Sequence, residues 1–156
     1  VVVAIIGILA AVGIVAYNGY TAAAKKNSSK TIHAQVMKYI AAEVTKCSID
    51  GSSVIFGEST VAQCSDADLA TNVVTLLTGD SSPLEHRDPF DGGPSVVTTG
   101  AVDPEGNAIT GAGLAGNVIL TSAAASGIIA LSTCYDSDAT AACSAAVTLT
   151  NTVLVE

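Results

Sequence analysis

The stretch from Val1 to Ala24 reads VVVAIIGILAAVGIVAYNGYTAAA and contains no charged side chain. An α-helix of that length spans about 36 Å, which exceeds the thickness of a bilayer's hydrocarbon core, about 30 Å. A cleaved secretory signal is the alternative interpretation, but the helical pattern continues without a break beyond Ala24. We therefore expect an apolar segment, residues 1–24, that can lie in a membrane.

An amphipathic continuation follows, with no proline before residue 50. Its apolar side chains recur every four positions and form one narrow stripe, while Lys30, Lys38 and Lys46 point elsewhere. The stripe consists of Ile32, Val36, Ile40 and Val44. Asp50-Gly51 supplies a stop, so the helix is expected to end near Lys46. Residues 1–47 are thus predicted to be one helix, apolar over 1–24 and amphipathic over 25–47.

Charge is divided unevenly along the chain. Residues 1–47 contain five lysines and one acid, a net charge of +4, whereas the remainder contains 13 acids and one arginine, a net charge of −12. An acidic surface repels phosphate backbones, which argues against direct nucleic-acid binding. We interpret the acids as a solvated surface that resists aggregation.

The part after the helix, residues 48–156, is long enough for one domain, which we call the head. It is rich in small residues, and the chain has no Trp and only two Phe, so its core is expected to be thin. Within residues 48–116 we predict loops, with Ser65 capping a short helix over 66–78. Turn signals dominate the rest of this region, around a short strand at 96–99.

Residues 117–155 show the alternation of strands. Residues 117–122 and 127–133 predict a hairpin, and 145–155 a longer third strand. Laid over the stripe of the long helix, such a sheet would bury both apolar faces. The predicted fold class is α+β: a long N-terminal α-helix packed against a small antiparallel sheet.

Four cysteines allow three disulfide pairings. Nearest neighbours are the first expectation: Cys47 with Cys64, closing a loop, and Cys134 with Cys143, closing a C-terminal segment. Closures of this size contribute about 2–3 kcal/mol each. A zinc site is the competing interpretation, but no C-x-x-C pair exists and neither histidine lies at ligand spacing. Disulfides indicate an oxidising compartment.

Catalytic patterns are absent from the sequence. There is no G-x-S-x-G motif, and neither histidine has a nucleophile nearby in sequence, so we expect a helix-surface His33, a loop His86 and no enzyme activity. Four acids could in principle bind calcium, but they provide too few ligands for an EF-hand and lack its glycine. We interpret them as solvated turn residues. They are Asp103, Glu105, Asp136 and Asp138. No metal or cofactor is predicted.

The stretch from Val1 to Tyr17 resembles the N-terminal helix of type IV pilins, whose segment reads VVAIIGILAAIAIPAY. Asp88-Pro89-Phe90 is similar to a short segment that many pilins carry before the sheet, and the order of long helix, loop, sheet and C-terminal cystine also agrees. Val15 stands where the family commonly has proline, so the helix lacks that cause of a kink, with Gly13 as a soft point. The family's leading Phe, its Glu and its methylated first residue have no counterpart in this sequence.

The resemblance implies a subunit that polymerises into an extracellular pilus from an inner-membrane pool, with an assembly machinery as partner. Small residues would let neighbouring helices approach closely in the filament core. The residues predicted to pack there are Val3, Ile6, Gly7, Ala10, Ala11, Gly13, Ile14 and Tyr17. Two alternatives stay open: a type II secretion pseudopilin, and a monomeric membrane-anchored binding domain outside the cytoplasm.

Overall fold

The computed structural model describes residues 1–50, 69–78, 82–90, 92–93, 95–98, 115–123, 127–135 and 148–154. These parts contain a long helix, a short helix and four strands. Their bounds are α1 Val2–Ile49, α2 Leu69–Thr78, β1 Val96–Thr98, β2 Val118–Ala123, β3 Ile128–Cys134 and β4 Thr148–Leu154. The α+β class is confirmed, as is the long helix. The predicted hairpin is β2–β3, and the described part of the strand predicted at 145–155 is β4.

Helix α1 has 48 residues and is therefore about 72 Å long. Its interior tolerates Ser and Thr because their hydroxyls donate back to the preceding turn, as Ser29 does to the carbonyl of Lys25 at 3.0 Å. Asp50 is the C-cap: its backbone is extended and its N–H donates to the carbonyl of Lys46 at 2.9 Å. The helix thus continues to Ile49, slightly beyond the expected end near Lys46, and stops at the predicted Asp50.

The sheet is mixed, which corrects the prediction of an antiparallel one. Strands lie in the order β1-β2-β3-β4. The β2–β3 and β3–β4 pairs are antiparallel, but β1 runs parallel to β2, with Val96 opposite Val118. A parallel pair needs a connection of about a dozen residues or more, and the long connection from Thr98 to Val118 satisfies that requirement.

Both helices contribute to one core with the sheet. Helix α1 lies over β3 and β4, and α2 lies over β1 and β2. The predicted stripe of α1 is confirmed: Val36 and Ile40 are fully buried, and Val44 packs against the same cluster. The sheet supplies Val118, Leu120, Ile129, Leu131 and Val153. The apolar face of α2 is confirmed as well, because its buried residues include Leu69, Val73, Leu76 and Leu77.

Several predictions fall outside the described residues. They concern the loop after Ile49, the cap at Ser65, the helix start at 66–68, the outer ends of the third long strand and the four candidate calcium ligands. Cys47 and Cys134 are both disulfide-bonded. Their predicted partners, Cys64 and Cys143, are not among the described residues, so the pairing stays a prediction.

Candidate functional site: the apolar segment and its junction with the head

The apolar segment makes no contact with the head over most of its length. Every residue from Val1 to Tyr20 is exposed. The most apolar window of the helix has a mean hydropathy of 2.2 and none of it is buried. By length and composition the helix can cross a membrane. Large exposed apolar surfaces are typical of sites that interact with protein or with membranes.

The residues predicted to pack in a filament core all lie on this exposed stretch. At about 100° per residue they cover an arc of about 160°, one side of the helix. Nothing lies within 4 Å of a Cβ built on Gly7 or Gly13. Within one copy, therefore, the small residues leave an open surface that a second backbone can approach.

Two lysines contact the head just past the apolar segment. The Lys25 ammonium lies 5.6 Å from the centroid of the Phe90 ring, and the Lys30 ammonium lies 4.0 Å from that of Tyr135. Phe90 belongs to the loop before β1, and Tyr135 directly follows β3. Cation–π attraction thus joins α1 to two separate parts of the head.

His33 is buried, which corrects its prediction as a helix-surface residue. Its side chain is 3% exposed. Its Nδ1 lies 2.9 Å from the hydroxyl of Thr133 on β3, and its Nε2 lies 2.8 Å from Oδ1 of Asn151 on β4. Because that amide oxygen only accepts, Nε2 of a neutral ring donates to it and Nδ1 accepts from the Thr133 hydroxyl. His33 therefore links the helix to two strands. His86 lies in a loop, as predicted.

A charged pair, Glu43 and Lys46, lies at the C-terminal end of the stripe. The Lys46 ammonium donates to the Glu43 carboxylate at 2.5 Å, with the Glu43 side chain 11% exposed and that of Lys46 52% exposed. Burial raises the pKa of the Tyr39 hydroxyl above its usual value, the Glu43 carboxylate raises it further, and the Lys46 ammonium opposes them. All three groups belong to the C-terminal half of α1 and lie outside the apolar segment.

The loop around Asp88 is held by a buried carboxylate. Asp88 Oδ1 accepts from the Phe90 N–H at 2.7 Å, and the Gly92 N–H donates to the Asp88 carbonyl at 2.9 Å. The carboxylate lies against Gly116, whose φ is +97° and where a Cβ would overlap it. The loop therefore places the Phe90 ring beside Lys25.

The described residues contain no cluster of three or more His, Cys, Asp or Glu that could hold a metal ion. No family model, curated protein or solved structure matches this chain. Function is therefore inferred from the residues and geometry of the chain itself.

Sequence reasoning missed His33 and the two lysine–aromatic contacts. Helical spacing could have predicted that His33 is buried. It lies one turn before Val36 and two turns before Ile40, on the same face of the helix. The aromatic contacts had no such signal, since Phe90 and Tyr135 are far from their lysines along the chain.

Proposed function

We propose that this chain is the structural subunit of a type IV pilus filament, in which the apolar segments of many copies pack together along the axis. One observation carries the proposal: α1 buries its C-terminal stripe in the head, while the stretch from Val1 to Tyr20 is exposed throughout. The resemblance of that exposed stretch to the type IV pilin helix names the family. The head then decorates the outside of the polymer.

The energetics favour an apolar environment for the segment. Twelve of its large hydrophobic side chains are more than half exposed in the single copy. Burying each one contributes about 1.5–3 kcal/mol relative to water, so the total reaches tens of kcal/mol. A bilayer supplies this before assembly, and neighbouring helices supply it in the filament.

The geometry of the subunit suits an open polymer. From Val2 to Ser28 the helix extends about 40 Å before its first fully buried residue, Ser29. Parallel copies staggered along the axis bring different surfaces of the segment together, a heterologous contact that does not close. The result is a helical filament of identical subunits.

Partners and location follow from the same proposal. The subunit waits in the inner membrane with its head in an oxidising compartment, consistent with the disulfide-bonded Cys47 and Cys134. The family's assembly machinery supplies the work of extrusion. The family's N-terminal methylation is part of the same resemblance but maps onto no residue of this sequence.

The test is electron microscopy of fibres sheared from cells that express the protein, in wild type and two matched variants. Gly7→Leu adds bulk on the predicted packing side, whereas Val12→Leu adds apolar bulk on the opposite side. Overpacking a close contact costs about 1–3 kcal/mol, so we expect Gly7→Leu to reduce fibre yield at least several-fold and Val12→Leu to leave it near wild type. Membrane levels of the subunit are the control for expression.

Three outcomes count against the proposal. Only dispersed monomers, with the chain retained in the membrane, would favour the anchored binding domain. A sheared fraction in which this chain is not the main component of long surface fibres would favour the pseudopilin. Equal loss of fibres in both variants would contradict the prediction that one particular side of the helix packs in the filament.

A further inference from the structure

The first charged residues of the chain are all basic and lie where the apolar segment meets the head. We call Lys25, Lys26 and Lys30 the lysine cluster. Residues 1–24 contain no charged side chain, and the next acid after the lysine cluster is Glu43. A positive region thus directly follows the part of the helix that can lie in lipid.

The positions of the three lysines along the helix axis match the thickness of a headgroup layer. With a rise of about 1.5 Å per residue, its members lie about 1.5–9 Å beyond Ala24 along the helix axis. Each polar layer of a bilayer is about 5–8 Å thick. When the apolar segment spans the hydrocarbon core, the backbone at these three lysines therefore lies at the depth of the lipid headgroups.

The head holds two of these ammonium groups at that depth. The contacts of Lys25 with Phe90 and of Lys30 with Tyr135 position both side chains at the side of the head nearest the apolar segment. A ring faces only part of an ammonium, which has three N–H donors, so donors remain for a phosphate. Among the described residues, no carboxylate lies within ion-pair distance of Lys25 or Lys30.

We propose that the lysine cluster binds the headgroups of anionic phospholipids, so that the membrane-resident subunit selects such lipids at its junction. The inference rests on the membrane stage of the proposed function. Charge complementarity and continuity with the apolar segment identify the partner as lipid. Aromatic rings beside the lysines are suited to the same polar–apolar boundary.

The experiment uses the full chain reconstituted in phosphatidylcholine bilayers containing trace spin-labelled phosphatidylglycerol or phosphatidylcholine. Electron paramagnetic resonance gives the ratio of their association constants with the protein. One lysine near an anionic surface is worth about 1 kcal/mol, or about fivefold. We expect phosphatidylglycerol to be preferred several-fold, with that preference lost in Lys25→Gln/Lys26→Gln/Lys30→Gln.

Single substitutions give a matched control. Lys30→Gln should remove part of the preference, whereas Lys38→Gln, about 12 Å further along the same helix and also outside the core, should leave it unchanged. Lys25→Arg/Lys30→Arg keeps both charges and should retain the preference.

Three results would overturn the inference. The first is an unchanged preference in the triple variant. The second is its loss in millimolar inorganic phosphate at constant ionic strength, which would assign the site to free phosphate. The third is a preference that disappears when copies are crowded, which would assign the lysines to the acidic head of a second copy. A lipid preference without fibres on cells would instead refute only the filament proposal.

Discussion

His33 is the polar residue on which the contact between helix and sheet depends most directly. Its ring is buried and its two nitrogens contact side chains on two different strands. A buried hydrogen-bonding group left without its partner costs about 1–3 kcal/mol, more than the bond itself contributes. Removing the ring leaves Thr133 without its imidazole contact and also opens a cavity.

We expect His33→Ala to lower the free energy of unfolding of the head by about 2–4 kcal/mol, measured by chemical denaturation in detergent micelles. His86→Ala is the control, since that half-buried loop residue should change stability by less than about 1 kcal/mol. Equal effects of the two substitutions would contradict the role assigned to His33.

Gly116 is required by both its backbone and its neighbour. Its positive φ strains any other residue by about 1–3 kcal/mol, and a Cβ there would overlap the buried carboxylate of Asp88. We expect Gly116→Ala to destabilise the head by about 2–5 kcal/mol. Gly92→Ala has a similar φ, +80°, but open space around its Cβ, so it should cost only the backbone strain. The difference between their thermal or chemical midpoints measures the overlap.

The raised pKa of the Tyr39 hydroxyl predicts a loss of stability at alkaline pH. Burial, with help from Glu43, raises the pKa of its hydroxyl in the folded protein above that of the unfolded chain, about 10. Its contribution is complete below pH 10 and declines as pH rises through the folded pKa, because the unfolded state loses its proton first. In unfolding measured from pH 8 to 12, Tyr39→Phe should show a smaller decline than wild type. Tyr20→Phe, on the exposed segment, should decline as wild type does.

At the scale of elements, α1 is one helix in two environments. Its C-terminal half is stabilised by the sheet, while its first 20 residues are exposed in the single copy. The helix is continuous through Lys25–Lys30, where both lysines contact the head.

The same Ile→Ala change should affect head stability in the C-terminal half of α1 and fibre yield in its N-terminal half. Ile40→Ala removes a fully buried side chain and should cost the head about 2–5 kcal/mol. Ile14→Ala, 63% exposed in the single copy, should leave the unfolding of the head unchanged in detergent while weakening fibres. Denaturation and fibre yield, measured on both variants, separate fold from assembly. A large loss of head stability in Ile14→Ala would show that the segment packs against the head.

At the scale of the whole molecule, charge and apolar surface are separated along one axis. A positive helix of +4 carries a head of −12, and the exposed apolar surface lies at the end opposite the head. Repulsion between acidic heads opposes bundling, whereas apolar contact between segments favours assembly. In the proposed filament we expect the apolar contribution to dominate, because a dozen large side chains of each copy are available to it.

Purified fibres should therefore survive salt and dissolve in detergent. At 1 M salt the screening length falls to about 3 Å, which weakens charge contacts but leaves apolar burial intact. Sedimentation should recover the fibres at 1 M sodium chloride and release monomers in a micellar detergent. Dissolution by salt alone would mean that charge pairs, and not the apolar segment, hold the polymer.

The amino-acid pattern by itself determined the helices, the hairpin, the buried stripe and the membrane-competent segment. Each of these follows from a local pattern: recurrence at every fourth position for Ile32 to Ile40, alternation for β3, and an unbroken run without charge from Val1 to Ala24. Such patterns depend only on neighbours in the chain, so they can be recognised before the fold is known.

Only the tertiary structure decided the parallel pairing of β1 with β2, the burial of His33 and the lysine contacts with Phe90 and Tyr135. Strand direction depends on the path of the long connection between β1 and β2, which carries no periodic signal. The partners of His33 lie 100 and 118 residues away along the chain. Such contacts form because packing α1 on the sheet brings distant side chains together, a consequence of the whole fold that no local pattern encodes.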